Sequence, residues 1–301
     1  MEEPVLIREI RGLKQDTVIL SHNYQRPEIQ DIADYIGDSL DLARLTTTLS
    51  TKSIVFCGVH FMAESAQILS PQKEILLPRL DAGCPLADMV TPQELREYRE
   101  KNPDVGIVTY INSSAAVKAE SDVCCTSANA VKVVSSIPFK RILFIPDRNL
   151  GRFVKKQVRD KEVILFEGYC HVHQNIAPVD ILEAKQKHPN AMVMMHPECT
   201  EEVLELSDFI LSTGGMVRTA KESEHREFIV VTEEGMTYRL KKENPEKVFH
   251  SISPLPVCPN MKKTRLKDVL LSLQNRQHRI IVEEDIAKRA KKALDEMLKY
   301  V

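Results

Sequence analysis

The sequence contains no tryptophan, no excess of charge of one sign and no apolar segment near the roughly 20 residues that cross a bilayer. Its 41 Lys and Arg residues nearly balance its 43 Asp and Glu residues, which leaves a formal net charge of −2. Such a balance provides no overall field that would attract nucleic acid or an anionic membrane. The opening MEEPVLIREI also lacks the apolar core of a secretory signal. We therefore expect a cytoplasmic protein with neither nucleic acid nor a membrane as its partner.

Cysteine is scarce, and its number is odd. Seven cysteines are spread over 301 residues, a pattern typical of reduced thiols in a cytosol and not of a disulfide framework. Such thiols are available as metal ligands or serve as small buried side chains.

A diverged repeat runs through the chain in steps of 88 and then 86 residues. His22, Tyr110 and His196 form one set of equivalent positions, and each stands at the end of an apolar run. Three further sets share the same two steps: the segments that begin at Ala33, Ser121 and Ser207, those that begin at Ile54, Ile142 and Phe228, and the positions Leu76, Ile164 and His250. A period of this length indicates three copies of one structural unit.

Each repeat contains four short apolar segments, rich in Val, Ile, Leu and Phe, separated by polar stretches of helical length. This pattern is typical of parallel βαβ units whose strands are buried on both faces. We therefore expect an α/β protein with three pseudo-threefold-related, Rossmann-like αβα domains, at residues 1–86, 87–172 and 173–262. Residues 263–301 indicate a helix, a strand-like HRIIVEE and a charged closing helix, which pack back on the first domain. Twelve strand candidates in three sets of four disfavour the alternative of one eight-stranded barrel.

Polar residues follow the strands at equivalent positions of the repeat. In open parallel sheets, ligands bind beyond the carboxyl ends of the strands, so these residues are candidates for a site. The first strand of each unit is followed by His22 and Tyr24, by Tyr110 and Asn112, and by His196 and Glu198. The second strand is followed by hydroxyl groups before a helix, at Ser39, at Ser127, and at Ser212 with Thr213. Each hydroxyl alone is also what a helix N-cap needs, but three in register favour a site for carboxylate or phosphate groups.

Three of the cysteines obey the repeat. Cys84, Cys170 and Cys258 follow the fourth strand of their units, and pseudo-threefold symmetry would bring their thiols together. Three thiolates in a closed cleft are costly unless a metal neutralises them. Structural zinc usually takes a fourth protein ligand, whereas a [4Fe–4S] cluster with three cysteine ligands keeps one open iron that can act as a Lewis acid. The remaining cysteines we interpret as core residues: Cys57, Cys124, Cys125 and Cys199.

Two other functions are compatible with the same residues. A zinc-dependent aldolase or hydrolase could use His22, His173 and His196 as metal ligands. A non-catalytic sensor or scaffold could hold a cluster as structure, which would require a fourth protein ligand. His171 and His188 we interpret as surface or structural residues.

Eight segments stand out as motifs: SHNYQRPEIQDIADYIGDSLDLA, GVHFMAES, TYINSSAAVKAESDVCCTSANAV, PDRNLG, CHVHQ, HPEC, STGGM and VCPNMKK. In this order they resemble the quinolinate synthase family over nearly the whole chain, although the resemblance implies an acid where this chain has His60. The resemblance implies a triangle of three α/β domains around a central active site. It also implies an oxygen-sensitive [4Fe–4S] cluster bound by Cys84, Cys170 and Cys258.

The resemblance further implies a reaction of NAD biosynthesis. Iminoaspartate and dihydroxyacetone phosphate condense to quinolinate, with release of phosphate and two waters, and iminoaspartate would come from an L-aspartate oxidase or dehydrogenase. The implied substrate-binding residues are His22, Ser39, Tyr110, Asn112, Ser127, His173, His196, Glu198, Ser212 and Thr213. For the proton transfers we expect acid–base roles for Glu198, His22, Tyr24 and His196.

Overall fold

The computed structural model describes residues 2–14 and 16–300. The first sheet and its helices comprise α1 (Glu3–Leu13), β1 (Thr17–His22), α2 (Pro27–Ile32), β2 (Tyr35–Gly37), α3 (Ser39–Thr48), β3 (Ser53–Cys57), α4 (His60–Leu69) and β4 (Glu74–Leu76). The second comprise α5 (Pro92–Lys101), β5 (Val105–Tyr110), α6 (Ala115–Ala119), β6 (Val123–Cys125), α7 (Ala130–Ser136), β7 (Arg141–Ile145), α8 (Arg148–Gln157) and β8 (Glu162–Leu165). They are followed by α9 (His171–Gln174), α10 (Pro178–Lys187), β9 (Met192–Met195), α11 (Glu201–Leu204), β10 (Phe209–Ile210), α12 (Thr213–Glu222), β11 (Glu227–Val231), α13 (Gly235–Glu243), β12 (Val248–Ser251), α14 (Leu266–Asn275) and α15 (Glu284–Met297). Within the described ranges, no helix combines the length and the apolar character that crossing a bilayer requires.

The strands form three separate four-stranded sheets, and their pairings are parallel. The strand orders are β2-β1-β3-β4, β6-β5-β7-β8 and β10-β9-β11-β12, so the three sheets share one topology. Every residue of β3 and of β5 is buried, which explains why the strand sequences are continuous apolar runs. The prediction of three Rossmann-like α/β units with four strands each is confirmed.

One aspartate per unit gives the repeat its physical basis. Its carboxylate accepts the backbone N–H of a residue early in the first strand, and its own N–H donates to the carbonyl of that same residue. The pairs are Asp34 with Ile19, Asp122 with Ile107 and Asp208 with Val193, and the carboxylate accepts at 2.8, 2.7 and 2.7 Å respectively. We call this pair of hydrogen bonds the aspartate clamp. Because the clamp joins the start of the second strand to the first strand, its aspartate recurs in every copy.

The chain beyond the third sheet returns to the first and second sheets. Helix α14 packs against α1 and β3, and helix α15 packs against α4, α6 and β6. The buried face of α15 consists of Ala290, Ala293, Leu294 and Met297, a spacing of three and four residues that places these side chains on one side of the helix. Helix α15 therefore joins the layers of the first two sheets.

The strand predicted at HRIIVEE is wrong. Within this segment only Arg279 forms a bridge, to Leu76 of β4, and the bridge is antiparallel. Arg276 and His278 have positive φ angles of 50° and 61°, so the chain turns sharply where it reaches β4. It therefore touches the edge of the first sheet at one point and does not extend it.

Candidate active site

The carboxyl ends of the three sheets face one shared cavity. Strand β1 ends at His22 and strand β5 ends at Tyr110, and both side chains line the cavity. The residues expected from the sequence that line it are His22, Tyr24, Ser39, Tyr110, Asn112, Ser127, His196, Glu198, Thr213, Cys84, Cys170 and Cys258. Residues from all three repeats therefore meet at one place.

Two of the expected residues, His173 and Ser212, do not line the cavity. His173 is 1% exposed, and its Nδ1 lies 3.3 Å from Cys170 Sγ. Ser212 is the N-cap of α12, where its Oγ accepts the N–H of Gly215 at 3.1 Å. His171, which we interpreted as surface or structural, lies in the cavity wall.

His60, the departure from the family motifs, also lies outside the cavity wall. It begins α4, its side chain is 43% exposed, and its Nδ1 lies 3.7 Å from Glu64 Oε1. The presence of a histidine at this position therefore leaves the lining of the cavity unchanged.

The three cysteines of the repeat are half-buried, and they face the cavity. Burial raises the pKa of Cys84 to about 12, and the nearby Cys258 adds to the effect. Burial also raises the pKa of Cys258, and it raises the pKa of Cys170 well above its usual value. Because three buried thiols need a cationic group before they can exist together as thiolates, the donor set fits a bound metal centre.

The separation of the thiols bears on whether they could share a single metal ion. A tetrahedral zinc ion with bonds of about 2.3 Å holds its sulfur ligands roughly 3.8 Å apart. The described residues Cys84, Cys170 and Cys258 do not form a group whose ligand atoms all lie within 4.8 Å of one another. In a [4Fe–4S] cluster each cysteine binds a different iron, which places the sulfurs farther apart. The three thiols are therefore not gathered around one tetrahedral ion.

The histidines of the zinc alternative are not arranged around one point. His22, His173 and His196 are all described, and they do not bring three ring nitrogens within 4.8 Å of one another. His173 forms such a group with Cys170 and Glu198 instead. The geometry therefore gives a three-histidine zinc site no support.

Two buried carboxylates hold the backbone of the cysteine loops. Asp147 accepts the N–H of Cys170 at 3.0 Å, and Glu233 accepts the N–H of Cys258 at 3.0 Å. Both acids are fully buried, and they stand one 86-residue step apart, whereas Val59 occupies the equivalent position of the first unit. The sequence patterns above point to neither acid, although the shared step and their equal distance from β7 and β11 mark them. We interpret them as positioning residues for two of the three thiols.

Glu198 lies at the centre of a buried hydrogen-bond network. Its Oε1 accepts the hydroxyl proton of Tyr110 at 2.6 Å, and its Oε2 lies 2.7 Å from Nδ1 of His173. The other ring nitrogen of His173 lies 2.8 Å from Thr232 Oγ1, which in turn lies 2.6 Å from the Tyr24 hydroxyl. A continuous chain of polar contacts therefore links the carboxylate to Tyr24, and Thr232 is a member of it that no sequence motif indicated.

The charge states of these groups follow from burial and from their neighbours. Burial opposes ionisation of Glu198, but the histidines beside it, first His173, and a hydrogen bond from Tyr110 outweigh this, so its pKa lies below the usual value. Burial lowers the pKa of His196 to about 3 and the pKa of His22 to about 3. Burial, with the charge of Glu198, raises the pKa of Tyr110 well above its usual value. At neutral pH the site therefore offers a carboxylate, two neutral imidazoles and a protonated phenol.

Two helices begin at the cavity, α3 at Ser39 and α12 at Thr213. Asp38 caps α3 by accepting the N–H groups of the next turn, so Ser39 contributes its hydroxyl and not a free helix end. A Cβ atom on Gly214 would lie 2.6 Å from Asp38 Oδ2, so glycine is required where these two helix ends approach. Ser39 and Thr213 therefore bring two hydroxyl groups from separate units to the lining of one cavity.

The second unit contributes Ser127 and Asn112 to the lining of the cavity. Ser127 Oγ lies 3.1 Å from His196 Nε2, which joins the second unit to the third. Asn112 Oδ1 is buried and has no hydrogen-bond partner in the part of the chain that the structure describes. Because a buried polar atom without a partner is costly, this amide is suited to receive a polar group of a ligand.

The family model and the relatives described below all match this chain over nearly its whole length. The sequence model of one family, described as Quinolinate synthetase A protein, matches residues 7–299. A protein of Caldicellulosiruptor bescii named Quinolinate synthase is 53% identical over 99% of this chain and 99% of its own length. One of the same name from Thermodesulfovibrio yellowstonii is 50% identical over 98% of both chains, and Quinolinate synthase 2 of Methanosarcina acetivorans is 51% identical over 99% of this chain and 96% of its own.

Proposed function

The chain belongs to the quinolinate synthetase A protein family, and from this premise we propose that it condenses iminoaspartate with dihydroxyacetone phosphate to form quinolinate. One phosphate and two waters leave in the same overall reaction, which balances the atoms of the two substrates against the product. The proposal makes this chain an enzyme of NAD biosynthesis that acts on two small anionic molecules.

The observation that carries the proposal is the meeting of two kinds of residue in one cavity. Three cysteines, each from a different repeat, line the same cavity as the buried carboxylate Glu198. Such a site combines a place for a metal centre with a group that can accept a proton. Condensation followed by dehydration requires both functions beside each other.

We assign Cys84, Cys170 and Cys258 as ligands of a [4Fe–4S] cluster with one iron that no protein residue binds. When bound, the cluster would supply a Lewis-acidic iron that can coordinate an oxygen or nitrogen atom of a substrate. The elevated pKa values of the thiols support a metal centre at these residues, and thiols that do not all lie within 4.8 Å of one another disfavour a single zinc ion as its occupant. Asp147 and Glu233 hold the second and third ligand loops in place.

Hydroxyl, amide and phenol groups on the cavity wall would bind the carboxylates and the phosphate of the substrates. The residues that we assign to this role are Ser39, Tyr110, Asn112, Ser127, Thr213, His22 and His196. Ser212 would act through Thr213, because it caps the helix that Thr213 begins. His173 would act through Glu198, because its Nδ1 holds one carboxylate oxygen at 2.7 Å.

The proton transfers would depend on Glu198 and the neutral groups around it. Carbon–carbon bond formation and loss of phosphate precede a keto–aldo isomerisation, in which a proton moves between neighbouring carbons. Glu198 is ionised and suited to take up that proton and, once protonated, to return it to the neighbouring carbon, while the neutral imidazoles of His22 and His196 and the phenol of Tyr24 would form hydrogen bonds with the substrate oxygens. A positioned acid–base group of this kind contributes roughly 10²–10⁴ in rate.

The decisive experiment measures quinolinate formation from oxaloacetate, ammonia and dihydroxyacetone phosphate under argon, where iminoaspartate forms in solution. We expect quinolinate to accumulate with protein that contains four irons per chain, and none to form when dihydroxyacetone phosphate is omitted. Four-iron protein that forms no quinolinate would overturn the proposal.

Metal analysis of protein purified without oxygen separates the rival functions. Four irons and a brown colour support the cluster, whereas one zinc in a colourless protein supports a zinc-dependent aldolase or hydrolase. A structural cluster in a sensor or scaffold would leave no iron open, so a small carboxylate such as citrate would not perturb its spectrum.

The chemistry of iminoaspartate also indicates which enzymes could supply it. Iminoaspartate hydrolyses in water, so we propose that an L-aspartate oxidase or dehydrogenase produces it for this enzyme, in the cytoplasm, where thiols remain reduced. A coupled assay with such an enzyme and L-aspartate should replace oxaloacetate and ammonia.

A further inference from the structure

Two histidines and a glutamate meet at the end of the third sheet opposite to the cavity. Glu227 is the first residue of β11, His250 lies on the neighbouring strand β12, and His188 follows the last turn of α10, just before β9. Because β9, β11 and β12 are parallel neighbours, the amino ends of two strands and the turn into the third lie side by side. These three residues have no part in the reaction proposed above.

The three side chains converge on one point. Glu227 Oε1 lies 2.9 Å from His250 Nε2 and 3.5 Å from His188 Nδ1. The two imidazole rings are stacked, with their centroids 3.4 Å apart and an angle of 16° between their planes. One ligand atom from each residue lies within 4.8 Å of the other two.

These distances are close to those between neighbouring ligand atoms around a bound metal ion. Zinc binds imidazole nitrogen and carboxylate oxygen at about 2.0–2.2 Å, and in a tetrahedron such bonds place neighbouring ligand atoms roughly 3.3–3.5 Å apart. The contacts of Glu227 with the two histidines span that range. The two rings are stacked nearly parallel, so at least one of them would turn out of the stack to direct its nitrogen at the ion. Two imidazoles and one carboxylate are also the donor set that suits Zn²⁺ and neighbouring transition metals.

The three side chains are accessible to an ion from solvent. The side chains of His188, Glu227 and His250 are 31%, 35% and 21% exposed, which leaves room for a water as a fourth ligand. The nearest lysines on α10 have acidic partners of their own: Lys185 with Asp208 at 3.6 Å and Lys187 with Glu183 at 4.0 Å. Their charges are therefore partly neutralised.

We propose that His188, Glu227 and His250 bind one divalent transition-metal ion, with zinc as the best match. The ion would tie the turn between α10 and β9 to the edge formed by β11 and β12. Binding to the folded chain alone would stabilise the third unit by mass action. This site is independent of the cysteine site and of the proposed reaction.

The test uses the cluster-loaded protein, because its cysteines are then occupied, and adds zinc chloride under argon. We expect one zinc per chain. X-ray absorption fine structure at the zinc edge should show only nitrogen and oxygen neighbours, at about 2.0–2.1 Å. The variants His188→Ala, His250→Ala and Glu227→Gln should each bind zinc at least tenfold more weakly. The matched control His225→Ala removes an exposed histidine that precedes the same strand, and it should bind zinc as the unaltered chain does.

The melting temperature gives a second readout that does not depend on activity. Zinc should raise it in the unaltered chain and in His225→Ala, and should leave it unchanged in Glu227→Gln, a nearly isosteric variant whose fold is checked without zinc by circular dichroism. A sulfur shell at about 2.3 Å would place the zinc at the cysteines and overturn the proposal. Zinc binding that is equally strong in all four variants would overturn it as well.

Discussion

The buried carboxylate of Asp147 accepts the backbone N–H of Cys170 at 3.0 Å through Oδ2, while its Oδ1 accepts the N–H of Leu150 at 2.7 Å. One side chain therefore ties the start of α8 to the loop that carries a thiol of the cavity. Burial and the charge of Glu198 raise the pKa of Asp147 well above its usual value, and the hydrogen bonds from Leu150 and Cys170 oppose that rise. The position of the Cys170 thiol therefore depends on both oxygens of this carboxylate.

Replacement of Asp147 by asparagine should loosen the proposed cluster. The amide offers one acceptor and one NH₂ group, so either Cys170 or Leu150 would direct its N–H at another donor, at a cost of about 1–3 kcal/mol. We expect faster loss of iron to a chelator and a lower iron content after anaerobic reconstitution. Iron release followed by absorbance, with secondary structure followed by circular dichroism, measures both.

The matched control for this change is Asp208→Asn. Asp208 also accepts a backbone N–H, that of Val193 at 2.7 Å, but it lies far from the cysteine loops in the sequence and clamps β9 to β10. The variant Asp208→Asn should lower the melting temperature without making iron release faster. Equal rates of iron release in both variants would show that Asp147 acts only on general stability.

Replacement of Glu198 by glutamine should remove turnover and retain the cluster. Glutamine keeps the size of the side chain and can still accept the hydrogen bond from Tyr110, but it cannot take up a proton. We expect quinolinate formation to fall by about 10²–10⁴, with the iron content and the absorption spectrum unchanged. The control Glu202→Gln, on the exposed face of α11, should retain full activity, and substantial turnover in the Glu198 variant would exclude its catalytic role.

The fold could be predicted from the sequence because its strongest signals are local and repeated. The strands are buried on both faces, so apolar runs mark them, and the clamp of Asp34, Asp122 and Asp208 recurs at a constant step. The strand predicted at HRIIVEE was wrong because the chain turns at Arg276 and His278 and meets β4 in a single bridge at Arg279. Local composition does not reveal such turns.

Residues of the site were predicted where the repeat placed them, and missed where only tertiary contacts define their role. Thr232 lies between Tyr24 and His173, partners far from it in the sequence, and no motif marks it. Asp147 and Glu233 repeat in two units only, because Val59 replaces them in the first. A comparison of two units at a time would have identified these acids.

Gly214→Ala should separate the two helices that begin at the cavity. The added Cβ would lie 2.6 Å from Asp38 Oδ2, much closer than ordinary contact, so α12 or Asp38 must shift. Overpacking of this kind costs about 1–3 kcal/mol, and displacement of Thr213 should raise the KM for substrate more than it lowers kcat. Steady-state kinetics under argon and a thermal melt measure the two effects.

The neighbouring glycine provides the control for that change. A Cβ on Gly215 would meet its nearest atom, Leu211 Cβ, at 3.3 Å, which a small adjustment accommodates. Gly215→Ala should therefore alter KM and the melting temperature less than Gly214→Ala. The opposite order would show that the approach of Asp38 does not limit this position.

The buried histidines should make the folded state sensitive to acid. Burial lowers the pKa of His22 and His196 to about 3, whereas in the unfolded chain each ring protonates near pH 6.5. The unfolded state therefore binds more protons below about pH 6.5, and the free energy of unfolding falls as the pH drops from there toward about 3. Each ring contributes up to about 1.4 kcal/mol per pH unit.

His22→Gln should reduce this dependence because it removes one ring that titrates only on unfolding. Urea unfolding followed by circular dichroism on iron-free protein, between about pH 6.5 and pH 4, should show a shallower slope for this variant. His225→Gln, which removes an exposed ring, should keep the slope of the unaltered chain. Equal slopes for the two variants would mean that His22 is already protonated in the folded protein, and its proposed role as a neutral partner of Glu198 would then fail.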